Sequence, residues 1–239
     1  MEIARLDDDA LIAAIDGAGV AEFASLAAEA GYRRLRAAVS ALERVCRRFA
    51  GFGVDQVVPE QVAALEALSM IGGKDAARAV ALLITRAVVQ GPTLRVAVAA
   101  AGLGSELPVP AVLDLLRHAD PAVRADACRC VRPSLDLVPV LIDLLDDLNA
   151  SVGIAAAFAL ARMGRLEAKP RLLGLLRTTP SPEVIAAVVD IADEECIVLL
   201  GRIARTIPDL DAAARAALED IDHPQAARMI AAIERQQGS

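Results

Sequence analysis

The chain of 239 residues repeats a pattern with a period of about 30 residues, and few folds tolerate that. Two stretches show the unit best. One is Asp120-Pro121-Ala122-Val123-Arg124-Ala125-Asp126-Ala127-Cys128-Arg129-Cys130-Val131, and the other runs from Asn149 to Leu160. Each opens on a capping or turn residue. Each places Val three positions on, then small residues four, five and seven positions after the Val. Weaker copies begin at Gly91-Pro92-Thr93-Leu94-Arg95, at Ser181-Pro182-Glu183-Val184 and near Pro59-Glu60-Gln61-Val62. The anchors Val62, Leu94, Val123, Val152 and Val184 are spaced by 32, 29, 29 and 32 residues. A degenerate last copy runs from Asp209 to Ile221.

A second motif lies between the copies: Leu113-Asp114-Leu115-Leu116, Leu141-Ile142-Asp143-Leu144-Leu145 and Leu172-Leu173-Gly174-Leu175-Leu176. Four residues past each final Leu stands Asp120, Asn149 or Pro180. Apolar residues at i, i+3, i+4 and i+7 make both motifs helical. Pro92, Pro121 and Pro170 fit just inside helix starts, where a missing N–H costs nothing. Two short helices cannot bury their apolar faces alone, but pairs stacked in series can. The prediction is an all-α fold, a right-handed α-α superhelix (α-solenoid) of stacked antiparallel helix pairs. Residues 59–239 hold five to six pairs, and residues 1–58 form an N-terminal helical cap. A helical bundle shares the patterning but needs no fixed period.

Composition agrees. Apolar residues are 56% of the chain and aromatics 2%; 51 residues are Ala and none is Trp. Disordered chains are poorer in apolar residues, and β-sandwiches or barrels are richer in aromatic and β-branched ones. Ala at contact positions lets helices approach closely. A membrane span needs about 20 apolar residues; the longest uncharged run, Leu148 to Ala161, has 14.

The Asp-Pro-x-Val-Arg-x-x-Ala pattern of Asp120 to Ala127 resembles the second helix of a HEAT repeat. The short period resembles the HEAT-like repeats of phycobilisome lyase proteins. The resemblance covers roughly residues 59–236. It implies a ladder in which the Arg after the Val pairs with an acid of the neighbouring repeat. Arg95 and Arg124 match that position, whereas Gly153 and Ile185 interrupt it.

The ends differ from the middle. Residues 1–58 predict helices near 7–16, 20–30 and 32–50, and hold the only Tyr and three of the four Phe. Terminal repeats are expected to be atypical; a separate binding domain is the alternative. On the third helix, Arg33, Arg34, Arg36, Arg44, Arg47 and Arg48 share one face, so residues 32–50 carry +5 in a chain of −7. That face either docks an acidic partner, phosphate or anionic surface, or is a solvated face pairing with Asp7, Asp8, Asp9, Glu22 and Glu29. Local pairing is the simpler reading. Near the other end, Asp190, Asp193, Glu194 and Glu195 are read as closing one second helix, and Glu219, Asp220 and Asp222 the next. They form either an acidic binding ridge or a solvated edge. The two charged faces would also allow head-to-tail self-association.

No catalytic or metal constellation stands out. His118 and His223 lie in turns without Cys or His partners at helical spacing. Cys128 and Cys130 point apart on a helix, and all four cysteines are read as reduced. Gly102-Leu103-Gly104 lacks the strand-to-helix context of a phosphate loop. No cofactor or metal is expected. The start, Met1 to Asp9, is acidic where a secretory leader needs a basic one, so a cytoplasmic protein is expected. Twenty-three Arg against Lys74 and Lys169, beside so much Ala, suggests a bacterial coding sequence.

These readings point to a non-enzymatic scaffold or adaptor that binds another protein, with neither nucleic acid nor membrane as partner. A bilin lyase-like or other ligand-handling role is the alternative that the resemblance raises. A DNA-binding role like that of HEAT-like glycosylases is opposed by the acidic balance and by the scarcity of aromatics, with only Phe158 in residues 59–239.

Overall fold

A computed structural model describes residues 3–102 and 107–237. Leu103 and Gly104, part of the glycine pattern noted above, lie outside the described residues. Every regular element among the described residues is helical. The chain forms two compact units, Met1–Val131 and Arg132–Ser239. The first holds α1 (Asp8–Gly17), α2 (Val20–Tyr32), α3 (Val39–Arg48), α4 (Pro59–Ile71), α5 (Gly73–Thr85), α6 (Gly91–Gly102), α7 (Val109–Leu116) and α8 (Pro121–Cys130). The second holds α9 (Val138–Asp143), α10 (Ala150–Ala161), α11 (Lys169–Thr178), α12 (Pro182–Ala187), α13 (Glu194–Thr206), α14 (Asp211–Asp220) and α15 (Pro224–Gln237).

Both units are built in two layers. In the first, α2, α4, α6 and α8 stack in series, and α3 stacks on α5 across them. In the second, α10, α12 and α14 form one layer and α11, α13 and α15 the other. This is the helix-pair repeat, and its start signals are physical. Asp120, Asn149 and Ser181 each accept a hydrogen bond from a first-turn backbone N–H, at 2.8, 3.0 and 3.3 Å. Pro121 and Pro182 occupy the first helical positions behind two of those caps. Leu94, Val123, Val152 and Val184 are buried, whereas Val62 is only half-buried. Of the small residues after the anchors, Ala127, Cys128, Ala156, Ala157 and Ala159 are buried at helix contacts, whereas Cys130 is half-buried.

Residues 3–58 share the core of the first unit, because α2 and α3 both lie against α4. Their joint is a buried amide. Gln61 on α4 is fully buried, and its Nε2 donates to the carbonyls of Cys46 (3.0 Å), Phe49 (3.3 Å) and Val88 (3.1 Å). These carbonyls lie at or just beyond the C-terminal ends of α3 and α5; those of Cys46 and Phe49 also accept the backbone N–H of Phe49 and Phe52. Phe49 and Phe52 meet edge to face nearby, at 6.3 Å between centroids.

Three helices end in the same turn. After α2, Arg34 N–H donates to Gly31 and Leu35 N–H to Ala30. After α5, Ala87 N–H donates to Ile84 and Val88 N–H to Leu83. After α10, Gly164 N–H donates to Ala161 and Arg165 N–H to Leu160. Each is a Schellman cap whose pivot is left-handed: φ is 51° at Arg34, 50° at Ala87 and 65° at Gly164. Only the third uses the residue that adopts this conformation without steric cost.

Ala87→Gly should stabilise the protein by about 1 kcal/mol and Gly164→Ala should destabilise it by a similar amount, read as opposite shifts in thermal midpoint. Gln61→Leu should cost about 1 kcal/mol in denaturant unfolding: the Val88 carbonyl loses its side-chain donor, the Cys46 and Phe49 carbonyls keep a backbone N–H, and an orphaned amide oxygen is removed.

Candidate protein-binding surfaces

The helix expected over residues 32–50 is in fact interrupted. The left-handed turn at Arg34 ends the preceding helix, a 3-10 turn spans Arg36–Ala38, and α3 begins only at Val39. Arg33 and Arg34 therefore do not share a helix face with the rest. No Gly or Pro marks the break, which is why spacing alone ran the helix through it.

The six arginines fall into two groups. Arg33 donates to Glu29 Oε1 at 2.7 Å and Asp8 Oδ1 at 3.3 Å, and reaches the carbonyls of Leu6, Ala4 and Ile3. It fastens residues 3–8 to α2. Arg44 grips Asp16 with two nitrogens, at 3.1 and 2.6 Å, and Arg48 donates to the Asp16 carbonyl at 2.8 Å. Arg47 pairs with Glu43 one turn back at 2.6 Å. Arg34 and Arg36 are exposed, and their guanidinium groups make no hydrogen bond or ion pair among the described residues.

The acidic cluster is also sorted, and one expectation is reversed. Asp193, Glu194 and Glu195 do not close a second helix. Asp193 caps α13, accepting from the Cys196 N–H at 3.2 Å, and the two glutamates fill its first turn. There the helix dipole favours acids rather than opposing them. Asp193 also pairs with Lys169, and Glu195 with Arg177, both across from α11. Lys169 holds the Asp193 carboxyl below its ordinary range, and Asp193 in turn raises the Lys169 ammonium. Asp190 lies in the 3-10 turn Val189–Ile191, and Glu219 and Asp220 do close α14. Asp190, Glu194 and Asp220 are exposed and without ion pairs among the described residues.

A groove of about 390 Å³ runs between α12 and α14. Ala186, Ala213 and Ala216 open its walls, Ile185 lies beneath, and Asp190 and Asp220 flank it. No spacing or motif announces it, since alanines read as packing residues whether or not another helix covers them.

At the repeat positions, Arg95 on α6 bonds Asp126 on α8 at 2.7 Å, one repeat further on. Arg129 meets the same carboxylate at 2.5 Å. Arg124 donates to the carbonyls of His118 and Ala119, beyond the end of α7. Gly153 has a steric reason: a Cβ there would lie 2.8 Å from the Leu145 oxygen and 3.1 Å from Arg171 Nη2. Arg171, from α11, occupies the space and donates to the Ala150 carbonyl at 3.3 Å. Ile185 is buried rather than exposed.

Both histidines serve turns, with Nδ1 accepting the backbone N–H of Asp120 or Gln225. Among the described residues, no group of three or more His, Cys, Asp or Glu could hold a metal ion. Burial pushes the Cys46 thiol up to about 12, far from a reactive thiolate.

A profile describing HEAT repeats matches residues 109–192. This stretch is made of HEAT repeats. It runs from the start of α7 to just past α12 and contains the caps Asp120, Asn149 and Ser181. Solved structures share the fold over most of the chain. The fold is similar to that of the complex of CpcE and CpcF of phycocyanin lyase from Nostoc sp. PCC7120, with 17% identity, a TM-score of 0.60, and 97% of this chain and 95% of that chain covered. It is also similar to Escherichia coli YibA, with 14% identity, a TM-score of 0.50, and 93% and 94% covered. At these identities the likeness is one of fold. No curated protein matches by sequence. No helix among the described residues is long and apolar enough to cross a membrane.

The Lys169–Asp193 pair gives a signed pH test. A carboxyl held below its ordinary range adds stability above about pH 4, and that contribution is lost as pH falls through the depressed value. The Asp193→Asn variant keeps a capping side chain but not the charge. Its thermal midpoint should lie below the wild type's at neutral pH, and the gap should close as pH falls well below 4.

Proposed function

We propose that this chain is a non-enzymatic HEAT-repeat adaptor that holds a basic amphipathic helix of a partner protein in the groove between α12 and α14. The observation that carries the reading is the pair Asp190 and Asp220. Both are exposed, neither has a counter-ion among the described residues, and they flank a slot walled by alanines. Small side chains let a helix backbone approach, and the carboxylates select cations on its flanks. The groove lies on the layer that carries the repeat motif, the surface on which stacked repeats present ligands. Residues 1–58 act as the cap of the array. The four free cysteines accord with a reducing compartment, the cytoplasm.

A ligand-handling role like that of the phycocyanin lyase draws support from the fold likeness alone. It predicts an absorbance change when the protein is titrated with a bilin; the adaptor reading predicts none.

The adaptor reading is tested with a photo-crosslinking residue at position 216, compared with one at position 202 on the other layer, in the native host. Crosslinks to a discrete protein are expected from 216 only. They should fall about tenfold with Asp190→Lys and Asp220→Lys combined, as expected when two attractions become repulsions. Equal capture at both positions, or capture indifferent to the charge reversal, would refute it.

A further inference from the structure

We infer that the chain also associates with itself, the segment Tyr32–Arg36 of one copy docking in the α12–α14 groove of another. The inference rests on the groove reading above and adds a specific occupant. Four of the six arginines in this region are tied down within the chain, and Arg34 and Arg36 are not. Arg34 is the more telling. It occupies the left-handed pivot of a Schellman turn, the place Gly164 takes in the equivalent turn after α10. An arginine is strained there, and glycine would not be. Ala87 takes the same pivot after α5, so the turn belongs to the fold; what sets Arg34 apart is an unpaired guanidinium beside exposed side chains. Beside it stands Tyr32, the only tyrosine, 79% exposed. Met70 is 49% exposed, and its sulfur lies over Gly31, where an added Cβ would sit 3.1 Å away. Tyr, Met and Arg are the side chains that protein interfaces favour.

The patch calls for an apolar slot flanked by two carboxylates, and the second unit has one. Asp190 and Asp220 flank a groove of about 390 Å³, enough for a phenol ring, with alanines as walls. Patch and groove both stay exposed within a single copy, so each is open to a second. Membranes and nucleic acids are poorer occupants. Recognition of anionic lipid uses clusters of about four to eight cations, whereas this patch offers two on a chain of net charge −7. Because the two surfaces differ, the contact is heterologous and builds rings or open chains rather than an isologous dimer. A basic partner and a second copy would compete for the same groove.

Sedimentation velocity of the full chain over a concentration series tests this. At low salt the sedimentation coefficient should rise with concentration. It should fall back near 1 M salt, where the screening length is about 3 Å. Arg34→Glu with Arg36→Glu, and separately Asp190→Lys with Asp220→Lys, should each weaken association at least tenfold. Mixing the two variants should restore it, because one supplies an intact groove and the other an intact patch. Arg34→Gly is the control for folding: it should lower association while the thermal midpoint holds or rises. A wild type that stays monomeric throughout overturns the inference, as do charge-reversed variants that associate like the wild type. Vesicles of anionic lipid that pellet the wild type but not Arg34→Glu/Arg36→Glu overturn it in favour of a membrane. If the wild type is monomeric while Asp190→Lys/Asp220→Lys still loses its crosslinked partner, self-association fails and the adaptor reading stands.

Discussion

Close approach of helices through alanine is the constraint from which the rest of this structure follows. Helices of six to fourteen residues are too short to persist alone in water, so each exists because its neighbours cover it. Ala127, Ala156, Ala157 and Ala159 sit at those covers with almost no exposed surface. A side chain of one carbon gives up little rotamer freedom on burial, and it adds little bulk between backbones. The stack is thus held by many small contacts, and aromatic anchors are scarce because there is no room to fill. The same economy leaves a groove wherever one alanine face goes uncovered, as between α12 and α14.

The charged groups then divide by task. Those that join elements are paired: Arg33 to residues 3–8, Arg44 to α1, Arg95 to the next repeat, Lys169 and Arg177 to α13. The rungs change character between the units. In the first, the arginine comes from the layer that carries the repeat motif. In the second, the cations come from α11, and Arg171 from that same helix fills the space over Gly153. Among the charges of the described residues that make no ion pair, Arg34 and Arg36 in one unit and Asp190 and Asp220 in the other are opposite in sign.

Much of the repeat was legible in the sequence because its signals are local. A cap such as Asp120, a proline behind it and a valine three residues on reflect one turn of helix and need no knowledge of the fold. The failures share a different cause. The run from Asp190 to Glu195 looks like one acidic block, yet a helix starts inside it, and only the bond to the Cys196 N–H shows which side Asp193 serves. Arg34 replaces a glycine that would have announced the end of α2. The groove itself is made of residues that look like core. Sites here depend on which surfaces stay bare, and bareness is set by neighbours distant in the chain.

Gln61 has a bearing on how the first unit comes apart. Stacked repeats ordinarily open from an end, one helix after another, since each touches only the next. A buried amide bonded to residues after α3 and after α5 breaks that rule, because neither helix end can peel away without stranding the same side chain. Fraying should stop at α3. From there to α5 the helices should exchange their amide hydrogens as one block, a cooperative knot within an otherwise serial array.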